Sequence, residues 1–167
     1  MGGLLLVAMA ARGADLEWKS FRGMCDASAV EMLTEDLFVA GNDEDNVLRI
    51  YSRARPGLPV QVADFSGFFR QPKKSKEMDL EGAARIGDRI YWISSHGANA
   101  KGKFQPTRHR FFATQVVTNQ GVVSLRPAGQ LYGLLARDLV RAPALAKFNL
   151  AAAAHRPPKE KKAFNNE

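Results

Sequence analysis

Eight residues able to do chemistry fall within one stretch, 77–114, EMDLEGAARIGDRIYWISSHGANAKGKFQPTRHRFFAT: Asp79, Glu81, His96, Asn99, Lys101, Lys103, Arg108 and His109. Carboxylates at Asp26, Asp79 and Glu81 are hard oxygen donors of the kind calcium takes, so these three are the expected metal set and Ca2+ the expected cofactor. Asp43-Glu44-Asp45 lacks the spacing of a calcium-binding loop, and Asp43 and Asp45 are expected to cap turns instead. Glu81, followed by Gly82 on an apolar strand, is costly to bury unless it is paired, which marks it for function.

His96 and His109 have the chemistry of general acids, general bases or metal ligands, with plain surface histidines as the competing expectation. Lys101, Lys103 and Arg108 suit an anionic group such as phosphate or carboxylate. The competing expectation for them is a solvated basic loop, or Arg108 paired with Glu81. Strand alternation sends Arg108 and Arg110 to one side and His109 to the other. As a catalytic set, Glu81, His96 and Arg108 fit a metal-assisted hydrolase of phosphate or carboxylic esters, with Arg108 stabilising developing negative charge. The 94–110 loop alone fits a non-catalytic binding module.

The elements that must position these residues are short strands. Apolar segments at 27–33, 37–40, 47–51 and 60–65 are separated by turn chemistry, above all Asn42-Asp43-Glu44-Asp45-Asn46, and describe an antiparallel meander. The pattern then restarts. Asp26 aligns with Asp79, Ala29 with Gly82, Leu33 with Ile86 and Asp36 with Asp88, and strands at 110–117 and 122–129 complete the second copy. Four-stranded repeats of this length are the signature of propeller blades. The expected fold is therefore mainly β, a partial propeller of about two four-stranded antiparallel blades over 15–135. In such blades the start of the first strand and the turn between the second and third strands lie at one end. Asp26 with 42–45, and Asp79 and Glu81 with 94–110, are thus expected to share a rim.

Beyond Leu131, the apolar residues Leu131, Leu134, Leu135, Leu139 and Val140 take helical spacing, and Pro143 is placed to begin a second short helix. The segment 136–167 is expected to be helical with a basic tail. At the other end, the apolar run Leu4–Ala11 resembles a secretory signal without its basic leader, too short to span a bilayer, and 1–14 is assigned to it. Export to the periplasm or beyond is the expectation, with an ordinary buried strand or helix as the alternative.

Composition bounds the rest. The 167 residues, 46% apolar and 25% charged, suit one globular domain with a sizeable core. The net charge of +7 is uneven: residues 26–70 hold eight acidic and four basic groups, whereas 71–110 hold four and nine. A basic segment on a polar connection is not a continuous basic face, so nucleic acid is not an expected partner. The single cysteine, Cys25, excludes an internal disulfide and is expected as a small buried thiol beside the first strand.

The segments DASAV and NDEDNVLRIY, with the whole stretch DLEGAARIGDRIYWISSHGANAKGKFQPTRHRFFAT, resemble the bacterial domain-of-unknown-function family 3616. The resemblance runs from about Gly23 to Glu167 and is densest at 77–114. It implies a propeller-like fold, distantly similar to esterase-like phytase domains, and a bacterial source, but no activity. It also implies truncation, because Phe164-Asn165-Asn166-Glu167 resembles the start of a third Asn-x-Glu-Gly strand. Two blades cannot close a ring, and self-association through open blade edges is the further expectation.

Overall fold

The computed structural model describes residues 18–69, 78–99, 101–154, 156–157 and 159–163. The signal-like segment 1–14 and the strand-like start at 164–167 lie outside the described residues. The chain is mainly β, built as two four-stranded antiparallel sheets followed by a short helical segment. The first sheet is β1 (Ala27–Met32), β2 (Leu37–Asn42), β3 (Val47–Ser52) and β4 (Gln61–Asp64); the second is β5 (Leu80–Ile86), β6 (Arg89–Ser94), β7 (Phe111–Asn119) and β8 (Val122–Tyr132). Each sheet runs in simple up-and-down order.

The turns between the strands are set locally. The Thr34 hydroxyl accepts from the Leu37 N–H at 2.9 Å and holds the β1–β2 hairpin. Asn42 accepts from the Asp45 N–H and Asp45 from the Val47 N–H, so two side chains close the β2–β3 turn. Asp45 also takes both Arg49 nitrogens, at 3.1 and 2.7 Å, which is the turn-capping role expected of it. Asp43 departs from that role and is taken up below.

The second sheet repeats the first down to its irregularities. β1 slips register between Ala27 and Ala29, and β5 slips between Leu80 and Gly82, leaving Ser28 and Glu81 as equivalent bulged residues. β1 lies beside β5, and the sheets stack face to face. Their shared core joins Val39, Leu48 and Ile50 of the first sheet to Leu80, Ile90, Trp92 and Phe112 of the second. Trp92 is fully buried, and its indole N–H donates to Thr114 Oγ1 at 2.9 Å. A Cβ at Gly41 would lie 3.0 Å from Leu80 Cδ1 and 3.6 Å from Trp92 Cζ3, so the glycine admits the close approach of the two sheets. Phe65 and Phe69 continue the core from the first sheet to Phe112, with Phe69 and Phe112 edge to face at 5.0 Å.

The Arg85 guanidinium reaches back to the first sheet and donates to the carbonyls of Met32 and Leu33. After β8 come helix α1 (Leu135–Arg141), a 3-10 segment begun by Pro143, and α2 (Leu150–Ala154). Among the described residues no helix is long and apolar enough to cross a membrane. Cys25 corrects an expectation: it is exposed, because the residues just before β1 lie outside the stacked faces.

Candidate functional site

The connection between β6 and β7, residues 95–110, is much longer than its counterpart 43–46 in the first sheet. One backbone bond ties it to the start of β5, and two more join its own two ends. Ser95 N–H donates to the Asp79 carbonyl at 2.8 Å, His96 N–H to the Arg108 carbonyl at 2.8 Å, and Ser94 N–H to the Arg110 carbonyl at 3.0 Å. At its tip, Asn99 Oδ1 accepts from the N–H groups of Lys101 and Lys103, both at 3.0 Å, which folds the basic residues into a compact turn. A 3-10 turn, Pro106–Arg108, then leads into β7.

Those ties bring Arg108 onto Asp79, with Nη1 3.0 Å from Oδ2. Asp79 is buried and holds a left-handed backbone, φ 60. Asp79 and Arg108 line a cavity of about 420 Å³ together with Asp43 and Glu44 from the β2–β3 turn of the first sheet. The first-strand start of one sheet and the middle turns of both therefore meet at one end, as the strand directions require. Asp43 Oδ1 is buried on this wall and has no hydrogen-bond partner among the described residues.

Other expected site residues fall elsewhere. Asp26 is exposed just before β1, and Glu81 sits at the β5 bulge; neither lines the cavity. Among the described residues no three His, Cys, Asp or Glu side chains gather as a metal-ligand set, so Asp26, Asp79 and Glu81 do not assemble the calcium site expected of them. The bulge sends Glu81 out of alternation with Asp79, and Asp79 is turned toward Arg108. The basic trio also divides. Lys101 and Lys103 are exposed on the Asn99 turn, whereas Arg108 is held at the cavity by Asp79.

His96 does not line that cavity and lies beside His109, with ring centroids 5.4 Å apart and the planes at 70°. Arg108 and His109 thus point to different partners, in line with strand alternation. Burial lowers the pKa of His96, against a bond to the Ser94 carbonyl that raises it. Burial, then the neighbouring His96, brings His109 down to about 4. A second cavity, about 440 Å³ and mostly apolar, is lined by His109, Phe104, Leu134, Val140 and Ala151 among others. Arg110 stacks over Phe69, its guanidinium carbon 5.3 Å from the ring centroid.

Glu44 and Arg108, both on segments expected at the shared rim, line the same cavity, although neither was paired in advance with the residue it faces there. The position of Asp43 in the turn cluster was the available signal for it. Comparison of the chain with protein-family models, with curated proteins and with solved structures gives no match.

Proposed function

We propose that the two sheets are neighbouring blades of a propeller-type protein and that their common end is a non-catalytic binding site for a small amine-bearing ligand. The observation that carries this reading is Asp43 Oδ1, a buried carboxylate oxygen that has no partner among the described residues, on the wall of the Asp43–Glu44–Asp79–Arg108 cavity. Burying an ionised oxygen with nothing donating to it costs free energy that folding alone would not retain. A ligand N–H would supply the missing bond. Three carboxylates against one guanidinium make the cavity wall negative, which favours ammonium groups and disfavours phosphate.

Two further features support the reading. Asp79 and His96 are the buried non-glycine residues with left-handed backbones among the described residues, and backbone strain of this kind concentrates at functional sites. The matched bulges in β1 and β5, with those strands side by side, are what adjacent blades around a common channel would share. A binding role is preferred to ester hydrolysis because His96 and Glu81 are not on the wall that Arg108 helps to form.

Calorimetric titration with a polyamine, an amino sugar, the corresponding neutral sugar and inorganic phosphate tests this. The amines bind, binding weakens as salt is raised, and Asp43→Asn weakens it at least tenfold. Absence of amine binding, or an indifferent Asp43→Asn, overturns the proposal.

A further inference from the structure

His96 and His109 take no part in the polar cavity, and their arrangement has its own chemistry. His96 is 3% exposed, and its Nδ1 lies 2.7 Å from the Ser94 carbonyl oxygen. A carbonyl only accepts, so Nδ1 carries the hydrogen of the neutral ring and Nε2 carries the lone pair. That Nε2 is buried and has no hydrogen-bond partner among the described residues. His109 lies beside it and lines the 440 Å³ cavity. The two imidazoles, with His96 anchored through Nδ1 by a backbone carbonyl, sit edge to face at 5.4 Å.

A backbone carbonyl holding the far N–H is the arrangement that orients histidine as a metal ligand. We propose that His96 and His109 form a two-histidine site for an imidazole-preferring transition-metal cation, Zn2+ being the type case, whose remaining positions open toward the 440 Å³ cavity that His109 lines. Ring packing alone would explain the edge-to-face geometry, but it leaves the buried lone pair of His96 unfilled. Calcium is the wrong ion, because it takes oxygen ligands, whereas imidazole suits zinc and copper. Of the cationic side chains on the connection and the cavity wall, Arg108 is paired with Asp79, Arg137 with Asp138 and Arg110 stacks over Phe69, while Lys101 and Lys103 are exposed on the turn. Two protein ligands leave open positions, so the ion would be exchangeable and able to hold a donor atom arriving through the apolar cavity.

The test uses the full chain without an affinity tag, titrated with ZnCl2 and separately with CaCl2, followed by calorimetry and by the ring-nitrogen resonances of its histidines. One zinc binds per chain, resonances of His96 and His109 move together, calcium leaves them unchanged, and His109→Gln weakens zinc binding at least tenfold. His109 is half-buried, and circular dichroism shows whether that variant keeps its fold; His96→Gln is the second variant. Zinc binding that is unsaturable, that shifts only His155, or that is unaffected in either folded variant overturns the assignment.

Discussion

The Asp79 carboxylate, its side chain only 7% exposed, lies 3.0 Å from the Arg108 guanidinium and couples the entry of β5 to the exit of the long β6–β7 connection. Removing one partner strands the other's charge. Arg108→Met is expected to destabilise the fold by about 2–4 kcal/mol, the lower part reflecting the partial exposure of Arg108. The double variant Asp79→Asn with Arg108→Met recovers part of that loss, because no buried charge is left over. Urea denaturation of the two single variants and the double variant gives the coupling directly; strict additivity would contradict it.

Asp43 makes the opposite prediction. Its buried Oδ1 has no partner among the described residues, so the fold gains no hydrogen bond from that oxygen. Asp43→Asn stabilises the unliganded protein by about 0.5–1 kcal/mol while impairing the site, the usual exchange of stability for function. Thermal denaturation without ligand measures the gain, and a lower midpoint would show that Asp43 supports the turn after all.

Acid acts through the two histidines. The folded-state pKa of His109 is about 4 and that of His96 is lowered, against 6.5 for an unfolded histidine. Between those limits the unfolded chain binds more protons than the folded one, so stability is full above about pH 6.5 and falls as the pH drops toward 4. With the half-exposed ring discounted for solvent screening, His109 accounts for about 1–2 kcal/mol of that fall. Denaturation midpoints at pH 7, 5.5 and 4.5 are expected to decline, and His109→Gln flattens the decline.

Gly41 tests the stacking of the two sheets. Its hypothetical Cβ falls 3.0 Å from Leu80 Cδ1 and 3.2 Å from Leu48 Cδ2, both in the core. Gly41→Val therefore forces the sheets apart and costs about 1–3 kcal/mol. Gly67→Ala is the control, because among the described residues nothing lies within 4 Å of the Cβ it would add. Equal effects at the two positions would mean that the sheets separate freely.

Strand positions were legible because they are local, and part of the shared rim followed from them: Asp43, Glu44, Asp79 and Arg108 line one cavity, whereas Asp26 and Glu81 do not. Period-two alternation and the Asn42–Asn46 cluster place β1 to β4, and the restart at Asp79 places β5 and β6. Strand direction alone then brings the polar starts and middle turns to one end. What the pattern did not carry is pairing across the sheets. Whether Arg108 meets Asp79 or Glu81 depends on the bulge in β5, which shifts one residue out of alternation and leaves no mark in composition. Glu44 lines the same cavity from the other sheet, and Cys25 is exposed together with its neighbours Asp26 and Ala27.

Trp92 and Thr114 give a spectroscopic handle on the same interface. Both are fully buried, and the indole N–H donates to Thr114 Oγ1 at 2.9 Å. Thr114→Val keeps the shape but leaves that N–H without an acceptor, at a cost of about 1–3 kcal/mol. Thr114→Ser retains the hydroxyl and loses a methyl, so it costs about 1 kcal/mol, mainly as a small packing defect. The second tryptophan, Trp18, is 91% exposed and emits as in water, so any blue-shifted, quencher-protected emission belongs to Trp92. Acrylamide quenching during urea unfolding should show that protected component vanishing at a lower urea concentration in Thr114→Val than in Thr114→Ser. Coincident transitions in the two variants would show that the hydroxyl contributes nothing beyond filling space.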